Sequence, residues 1–292
     1  MRSHPPALIT IVNRTLRDEC GVARGDRLLV AVSGGADSSA LLHALSRVAP
    51  RLGLELRAHG VDHGLRPEAS AELDRAEELA TRLGVPFGRT RLRVPAGGNL
   101  QARARAARYS ALRRAAAEAG ARWIATAHHA DDRAETVLLR LMRGAPPVGL
   151  AVLPARSGDL LRPLIRARRA DVLAHLGRHE IRWAEDPSNR DRRFLRCRVR
   201  EELMPLLESM SPGIVGHLCA LADELGAGPG PAILDEKGEL LRLSGAQRRA
   251  LRRALSVAGA AKRTRVRLSG GRELLIDPKT RLPELLSTAN DT

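Results

Sequence analysis

Residues 27–42 read RLLVAVSGGADSSALL. Arg27 is followed by five apolar residues, 28–32, which is typical of a buried strand. Residues 38–48 have apolar side chains at helical spacing. The turn between them carries two glycines, which let the backbone approach a ligand closely. A turn from a buried strand into a helix also directs backbone N–H groups at an anion. The stretch therefore predicts a phosphate-binding loop in an α/β protein.

The turn itself supplies the candidate phosphate ligands. Ser33 and Ser38 offer hydroxyl groups, and Asp37 is a carboxylate suited to a bound Mg²⁺. The turn lacks the lysine of G-x-x-x-x-G-K-[ST] and does not match G-x-G-x-x-G. An ordinary strand–turn–helix corner with a serine N-cap is the alternative interpretation. The full candidate set is Ser33, Gly34, Gly35, Ala36, Asp37 and Ser38.

Strand-like and helix-like segments alternate outward from this turn. The alternation predicts βαβ units and hence a Rossmann-like parallel sheet, so the fold class is α/β. A lead-in helix is expected within 4–20, a Pro- and Gly-rich loop at 144–163, and mainly helical structure at 164–225. The predicted strands are 27–32, 54–62, 87–94 and 122–129, and the predicted helices are 38–48, 71–84, 100–120 and 131–144.

A linker at GAGPGP, residues 226–231, predicts two domains. Residues 1–225 are expected to form the first, with an α/β core over 25–155 and a mainly helical continuation over 156–225. Residues 226–292 are expected to form a small basic domain with a helix at 245–257 and two strand-like pieces, RVRLSG and GRELLID.

Positive charge is concentrated in two blocks of a chain whose net charge is +16. Residues 161–200 hold twelve Arg against five acids, and residues 242–272 hold ten basic residues and no acid. This pattern predicts a polyanionic partner held through phosphate contacts, although a genome-wide preference for Arg explains part of it. Five aromatic residues are too few for a base-stacking platform. The candidate nucleic-acid contacts are Arg193, Arg196, Arg200, Arg248, Arg249 and Arg252.

Composition also limits the cellular context. No apolar run reaches the roughly 18–20 residues that a membrane span needs, and the N-terminal stretch lacks a signal-peptide pattern. Cys20, Cys197 and Cys219 are too few and too scattered for a disulfide framework or a CxxC metal site. We therefore expect a cytoplasmic protein; the oligomeric state stays open, with a homodimer among the alternatives.

Two acidic side chains follow the fourth predicted strand, in TAHHADDRAET (126–136). Asp132 and Glu135 are three residues apart, hence on one helix face at the carboxyl edge of the sheet, where open α/β folds bind ligands. They can hold Mg²⁺ or take a proton from an attacking amine. Asp131 is expected to cap the helix. His128 either lines the nucleotide pocket or is simply a hydrogen-bonded residue.

Taken together, SGG-x-DS and four further segments resemble one family. These segments are VDHGLRPEA (61–69), QARARAARY (101–109), TAHHADDRAET (126–136) and EDPSNRD…FLRCRVR (185–200), and they occur in the family's order. The chain thus resembles the tRNA(Ile)-lysidine synthetase family, within the ATP pyrophosphatase (PP-loop) superfamily. LRLMRGAPPVGLA (139–151) is similar to the family's Gly-rich loop.

The resemblance implies a reaction and assigns roles. The implied enzyme is a carbon–nitrogen ligase that uses ATP and Mg²⁺ to join L-lysine to the wobble cytidine of the CAU anticodon of tRNA(Ile). An adenylated cytidine is the intermediate, and AMP and pyrophosphate are released. The implied catalytic residues are Asp37, Arg105, Asp132 and Glu135, with Mg²⁺ on Asp37 and Asp132. The implied nucleotide-binding residues include His63, Arg108 and His128, although a solvated Arg-rich face also accounts for the arginines.

The chain departs from the family at two positions. It has Arg133 where the family usually has Gln, and Cys197 where the family usually has Asn. Helical geometry predicts that Arg133 faces away from the two carboxylates. The alternatives are a tRNA thiolase of the same superfamily, which the lack of cysteine pairs disfavours, and a non-catalytic nucleotide- or RNA-binding protein.

Overall fold

The computed structural model describes residues 7–62, 64, 69–92, 98, 100–184, 194–227, 264–267, 273–276 and 283–286. The predicted helix at 245–257 and most of the predicted linker at 226–231 lie outside these ranges. Within them, no helix is both long enough and apolar enough to cross a membrane.

A six-stranded sheet with the order β3-β2-β1-β4-β6-β5 forms the centre of the fold. Its neighbouring strands pair in parallel except for β5, which is antiparallel to β6. The α/β class with a Rossmann-like parallel sheet is therefore confirmed. The strands are β1 Arg27–Val32, β2 Glu55–Asp62, β3 Phe87–Arg91, β4 Trp123–Ala125, β5 Arg156–Ser157 and β6 Leu160–Leu161.

Nine α-helices occur in the described ranges, and most connect or follow the strands of the sheet. Single π-helical turns follow α1 (Leu16–Cys20) and α7 (Val199–Leu203), and a 3₁₀ turn covers Pro147–Leu150. The helices are α1 Leu8–Thr15, α2 Ala36–Leu52, α3 Ala69–Arg82, α4 Leu100–Glu118, α5 Ala130–Leu141, α6 Arg169–Arg178, α7 Leu195–Arg198, α8 Met204–Met210 and α9 Ile214–Gly226.

Alternating side chains of β1 fill two separate cores. Leu28 and Val30 pack into the cluster that includes residues of α1, α2 and α6, whereas Leu29 packs against α4 on the other face. Successive residues of a strand point to opposite faces, so an uninterrupted apolar run is what a strand covered on both faces requires. Val30 pairs with Ala58 of β2 and Ala125 of β4, which places β1 in the middle of the sheet.

The loop predicted at 144–163 is wrong in part, because β5 and β6 lie within it and extend the sheet. Each strand has two residues, too short to produce a periodic pattern, and β6 is fixed by pairing with β4. In the C-terminal region a three-stranded antiparallel sheet has the order β7 (Thr264–Arg267), β8 (Glu273–Ile276), β9 (Pro283–Leu286). The two strand-like pieces predicted there are confirmed, and β9 was not predicted.

A buried arginine ties α5 to α9. Arg133 is 2% exposed, and its Nε donates to the Val152 carbonyl at 2.8 Å while its Nη1 donates to Asp223 at 2.6 Å. Asp223 also accepts hydrogen bonds from Arg166. Arg133 therefore points away from Asp132 and Glu135, as helical geometry predicted, and serves the packing of the helices.

Arg133→Ala is expected to lower the free energy of unfolding by about 3 kcal/mol, since breaking a buried ion pair leaves uncompensated polar groups inside. The matched control is Arg198→Ala, which removes an exposed pair with Glu202 and should cost less than about 0.5 kcal/mol. Urea unfolding of both variants is the measurement. Equal losses in the two variants would contradict the structural role of Arg133.

Candidate active site

The phosphate-binding loop leaves β1 through Gly34. Its φ is +82°, a left-handed conformation that L side chains rarely adopt, and an added Cβ would overlap the backbone carbonyl of Glu72 in α3. Gly35, at φ −76°, is the N-cap of α2. The first turn of a helix has N–H groups without intrahelical acceptors, and the helix dipole is positive there. The loop thus has the geometry of an anion site.

Ser38 holds the loop in shape from within. Its Oγ accepts from the Ser33 N–H at 3.1 Å and donates to the Gly35 carbonyl at 3.0 Å. Its single O–H is therefore committed to the loop, while Ser33 is exposed and its Oγ lies 3.2 Å from Ser38 Oγ. The backbone of Ala184 adds a hydrogen bond to the Gly34 carbonyl, so the segment after α6 also braces this turn.

The second loop of the site leads from β4 into α5, and a histidine caps that helix. His129 Nδ1 accepts from the Asp132 N–H at 3.3 Å, while Asp132 Oδ2 accepts from the His129 N–H at 3.0 Å. This reciprocal capping box fixes both side chains. The expectation that Asp131 is the N-cap is wrong. Asp131 instead accepts from the Arg169 N–H at 2.7 Å and joins the start of α6 to α5.

The carboxylates of α2 and α5 converge on one buried nitrogen. His129 is 1% exposed, and its Nε2 lies 3.7 Å from Asp37 Oδ1 and 3.5 Å from Asp132 Oδ2. Within the described residues that nitrogen has no hydrogen-bond partner. Burial opposes a charged ring, yet the carboxylates of Asp37, Asp132 and Asp131 raise the pKa of His129. The loops after β1 and β4 thus bring two acidic groups to one buried ring nitrogen.

Asp132 is held in its ionised form. Burial would raise the pKa of its carboxyl group, but His129 and Arg196 together bring that pKa below the usual value of 3.8. Arg196 Nη2 donates to Asp132 Oδ1 at 2.8 Å. Asp37 is paired as well, with Arg169 Nη1 at 3.2–3.3 Å from both of its carboxylate oxygens.

Glu135 lies deeper than Asp132 and is 2% exposed. Arg196 Nε donates to it at 2.8 Å, and Arg200 Nε and Nη2 donate at 2.7 and 3.0 Å. Two arginines expected to contact nucleic acid therefore hold the two carboxylates expected to act in catalysis. The side chains of Arg196 and Arg200 remain 42% and 29% exposed, so both are partly accessible from solvent.

Two arginines of α4 act on His128 through their charge. The guanidinium groups of Arg105 and Arg108 lie over the Tyr109 ring at 5.1 and 5.5 Å from its centroid. His128 Nδ1 lies 3.0 Å from Thr126 Oγ1. Burial, followed by the charges of Arg162, Arg105 and Arg108, lowers the pKa of His128 to about 4, although Asp132 opposes this. His128 is therefore neutral at pH 7.

Sequence reasoning missed two residues of this cluster. Arg169, which pairs with Asp37, lies in an arginine-rich block where nothing distinguishes it from its neighbours. His129 was not singled out because histidine is an unusual N-cap; its position directly before ADD was the available signal. His63, Arg193, Arg248, Arg249 and Arg252 lie outside the described residues.

The sequence matches the family model described as the PP-loop domain over residues 8–207. The chain belongs to the PP-loop family. This membership implies that it binds ATP, and the loop at Ser33–Ser38 is the PP-loop by position, between the first strand of the sheet and α2.

Curated relatives of this PP-loop chain share one name. A tRNA(Ile)-lysidine synthase of Symbiobacterium thermophilum is 42% identical over 211 residues, 69% of this chain and 44% of the relative. One of Aromatoleum aromaticum is 43% identical over 204 residues, 68% of this chain and 47% of the relative. The chain thus spans about half the length of the curated relatives it matches. Among solved structures, the U34-tRNA thiolase NcsA of Methanococcus maripaludis has a TM-score of 0.64 at 18% identity, covering 81% of this chain and 85% of that one, which indicates a shared fold.

Gly34→Ala is expected to disrupt the PP-loop, because the new Cβ would meet backbone that cannot rotate away. Gly35→Ala is the matched control, since its Cβ would lie 3.6 Å from Ser33 Oγ, an ordinary contact. We expect Gly34→Ala to lose at least 2 kcal/mol of unfolding free energy relative to Gly35→Ala, from strain at positive φ and from the overlap. Thermal or urea unfolding gives the comparison, and equal stabilities would contradict it.

The charge of His129 should make its contribution to stability depend on pH. Protonation places a hydrogen on Nδ1 and ends its capping bond, and burial opposes the charge, but the nearby carboxylates still raise the folded-state pKa above 6.5; the net stabilisation is therefore complete below pH 6.5 and is lost as pH rises through the raised pKa. His129→Asn keeps a capping acceptor but removes the titration. Without Mg²⁺ and ATP, the variant should lose more stability at about pH 6 than at about pH 9. A pH-independent difference would show that the ring acts as a cap alone.

Proposed function

We propose that this chain contains the catalytic portion of a tRNA(Ile)-lysidine synthetase acting in the cytoplasm. It would join L-lysine to the wobble cytidine of the CAU anticodon of tRNA(Ile), using ATP and releasing AMP and pyrophosphate. The observation that carries the proposal is the convergence of Asp37 and Asp132 on His129 Nε2, beside the PP-loop. The names of the curated relatives, at about 40% identity, support the substrate and the amine.

The acidic side of the site fits Mg²⁺. Two carboxylates from different helices approach a buried nitrogen that has no hydrogen-bond partner in the described part of the chain, and their arginine partners Arg169 and Arg196 would have to give up these contacts to the ion. Carboxylate oxygens beside bound phosphates are the usual Mg²⁺ ligands in proteins. Asp37 and Asp132 would hold the ion, which when bound neutralises charge on the phosphates of ATP.

Two displacements make up the proposed reaction. First, O2 of the cytidine attacks the α-phosphorus of ATP, and pyrophosphate leaves. Second, the lysine amine attacks C2, AMP leaves with the C–O electron pair, and the amine gives up a proton. The N–H groups of the PP-loop, with Arg105 and Arg108 on α4, would stabilise the negative charge that develops on the phosphates.

The charge pattern suits the carboxylates to binding cations. Asp132 has a lowered pKa and is therefore a weak proton acceptor, and both oxygens of Glu135 already accept hydrogen bonds from Arg196 and Arg200. They are suited to orient the ammonium group of lysine. For Glu135 to accept the amine proton, an arginine must first turn toward another anion, and a tRNA phosphate supplies one. The catalytic role predicted for Glu135 and the nucleic-acid contacts predicted for Arg196 and Arg200 are then compatible.

We further propose that the basic blocks bind the tRNA backbone. Arg196 and Arg200 lie at the site with side chains that are 42% and 29% exposed. Residues 226–292 would form a small basic domain, and Arg193, Arg248, Arg249 and Arg252 would add further phosphate contacts.

Thiolation of tRNA is the second candidate, and the cysteines oppose it. Cys20 Sγ donates to the Ala155 carbonyl and Cys219 Sγ to the Ala130 carbonyl. Burial raises the pKa of Cys20 to about 12 and that of Cys219 to about 11, so neither thiol is an effective nucleophile or metal ligand. Among the described residues, no group containing cysteine is arranged to hold a metal ion.

The deciding assay combines the protein, ATP, Mg²⁺, labelled lysine and a tRNA(Ile) transcript with the CAU anticodon, and it measures label retained on RNA. We expect one lysine per tRNA with one AMP formed, and no label on a transcript with uridine at the wobble position. Asp37→Asn should reduce the rate at least 100-fold, because a positioned electrostatic group is worth about 10²–10³ in rate.

Asp159→Asn is the matched control for this assay. Asp159 is a surface carboxylate paired with Arg113 and precedes β6, at the opposite edge of the sheet, so full activity is expected. Transcript binding with no AMP formed would instead identify a non-catalytic RNA-binding protein. AMP formation without lysine incorporation would indicate a different acceptor.

Binding of the transcript should weaken steeply with salt. Five or six phosphate contacts predict a slope of about −4 in log K against log[salt], and Arg196→Ala should make the slope shallower by about 1. Arg140→Ala, which removes a side chain bonded to the Gly149 carbonyl on the far end of α5, is the control. Filter binding or fluorescence anisotropy provides the slopes. A slope shallower than about −2 would count against the arginine blocks as the tRNA surface.

A further inference from the structure

Three histidines meet between α2 and α6, away from the carboxylates of the active site. His43 and His175 are 4% and 3% exposed, while His179, which directly follows α6, is exposed. The ring centroids of the three lie 4.5–4.9 Å apart, and His43 Nδ1 is 2.9 Å from His175 Nε2. One candidate ligand nitrogen from each ring lies within 4.8 Å of the other two.

This arrangement has the chemistry of a transition-metal site. His175 and His179 are four residues apart, which places both rings on one face at the end of α6, and His43 approaches from the neighbouring helix. Three imidazole nitrogens with a fourth position open to solvent form the ligand set of open zinc sites. A tetrahedral ion with Zn–N bonds of about 2.0–2.1 Å needs ligand nitrogens about 3.3 Å apart. Metal binding would therefore draw the three nitrogens closer together than the observed separations of up to 4.8 Å.

We propose that His43, His175 and His179 form a binding site for a divalent transition metal of the zinc type, which clamps α6 onto α2. The hydrogen bond between His43 and His175 accounts for two rings without a metal. It does not explain why a third, exposed ring packs in a tilted orientation against both. Coordination does, because it uses all three.

Protonation of the two buried rings does not compete with the metal at neutral pH. Burial is the first cause that lowers the pKa of His43 and His175 to about 4, so both rings are in the neutral form that binds metals. Arg47, Arg82 and Arg178 contribute to the same lowering. Their positive field also opposes a divalent ion, so the measured affinity decides the proposal.

The position of the site gives it a consequence for the active site. His43 follows Asp37 by six residues on α2, and His175 follows Arg169 by six residues on α6, so the clamp lies about 9 Å along both helices from that ion pair. A metal there would fix the relative position of the two helix ends that hold Asp37 against Arg169. It would act through position, without contacting substrate.

Calorimetric titration of Zn²⁺ into the full chain tests the site. The protein is prepared without a polyhistidine tag, treated with a chelator and dialysed, and excess Mg²⁺ is present to occupy carboxylate sites. We expect one Zn²⁺ per chain, and a loss of affinity of at least tenfold in His179→Ala, since even a residue that merely supports a metal ligand is worth about 10–100-fold in affinity. His217→Ala removes an exposed histidine of α9 and should bind as the unaltered chain does.

Two further measurements test the same site independently. Co²⁺ should give visible absorption bands typical of tetrahedral nitrogen coordination, and His43→Gln should abolish them. Zn²⁺ at 100 times its dissociation constant should raise the melting temperature of the unaltered chain by roughly 5–10 °C and should not raise that of His179→Ala. Without metal, the two melting temperatures should match, because the His179 side chain is exposed. No Zn²⁺ binding, or equal binding by His179→Ala and the unaltered chain, would overturn the proposal.

Discussion

The parallel pairing of β1 with β4 is the constraint on which the active site depends. These strands are far apart in sequence, yet Val30 and Ala125 lie side by side in register. Both strands therefore end at the same edge of the sheet, and the loops that follow them carry Asp37 and Asp132. The switch in strand order at this position opens the crevice in which α/β sheets bind ligands. Every other feature of the site refines this one placement.

The PP-loop and the α5 cap both satisfy backbone groups at the start of a helix, but they do so in different ways. At Gly34 the backbone takes a conformation that needs glycine, and α3 packs directly against it. At His129 a buried ring accepts the Asp132 N–H in the first turn of α5 and turns its other nitrogen toward two carboxylates. In both loops one residue satisfies the backbone locally and so leaves the neighbouring groups available for a ligand.

The sequence predicted the parts of the fold that depend on long periodic patterns. β1, β2 and most of the flanking helices were found in this way, because strands covered on both faces and amphipathic helices leave repeated apolar positions. β6 was missed because a two-residue strand has no period and exists through its pairing with β4. Asp131 was given a local role, whereas it binds the start of α6, a contact set by tertiary packing.

The pairing of the site arginines could not be derived from the sequence either. Asp37, Asp132 and Glu135 were candidates by position, but nothing in the pattern assigns Arg169 to the first or Arg196 and Arg200 to the others. Charge patterning predicted a polyanionic partner from the same arginines. Pairing with a site carboxylate and binding a polyanion depend on the same property of these arginines. An arginine that is bound to a carboxylate yet partly exposed to solvent can also reach a phosphate.

Because the same arginines would serve carboxylates and phosphates, the order in which they exchange partners depends on the burial of the carboxylates. Glu135 is buried, so its charge needs a partner at all times, and removing both arginines would leave it uncompensated. Two arginines on one carboxylate allow one of them to exchange its partner while the other stays. The bidentate contact of Arg200 with Glu135 suits it to stay, whereas Arg196 divides its donors between Glu135 and Asp132 and has the larger exposed fraction. An approaching phosphate would therefore draw Arg196 first, which leaves Asp132 with its longer contact to Arg200 at 3.6 Å while Glu135 keeps both hydrogen bonds from Arg200.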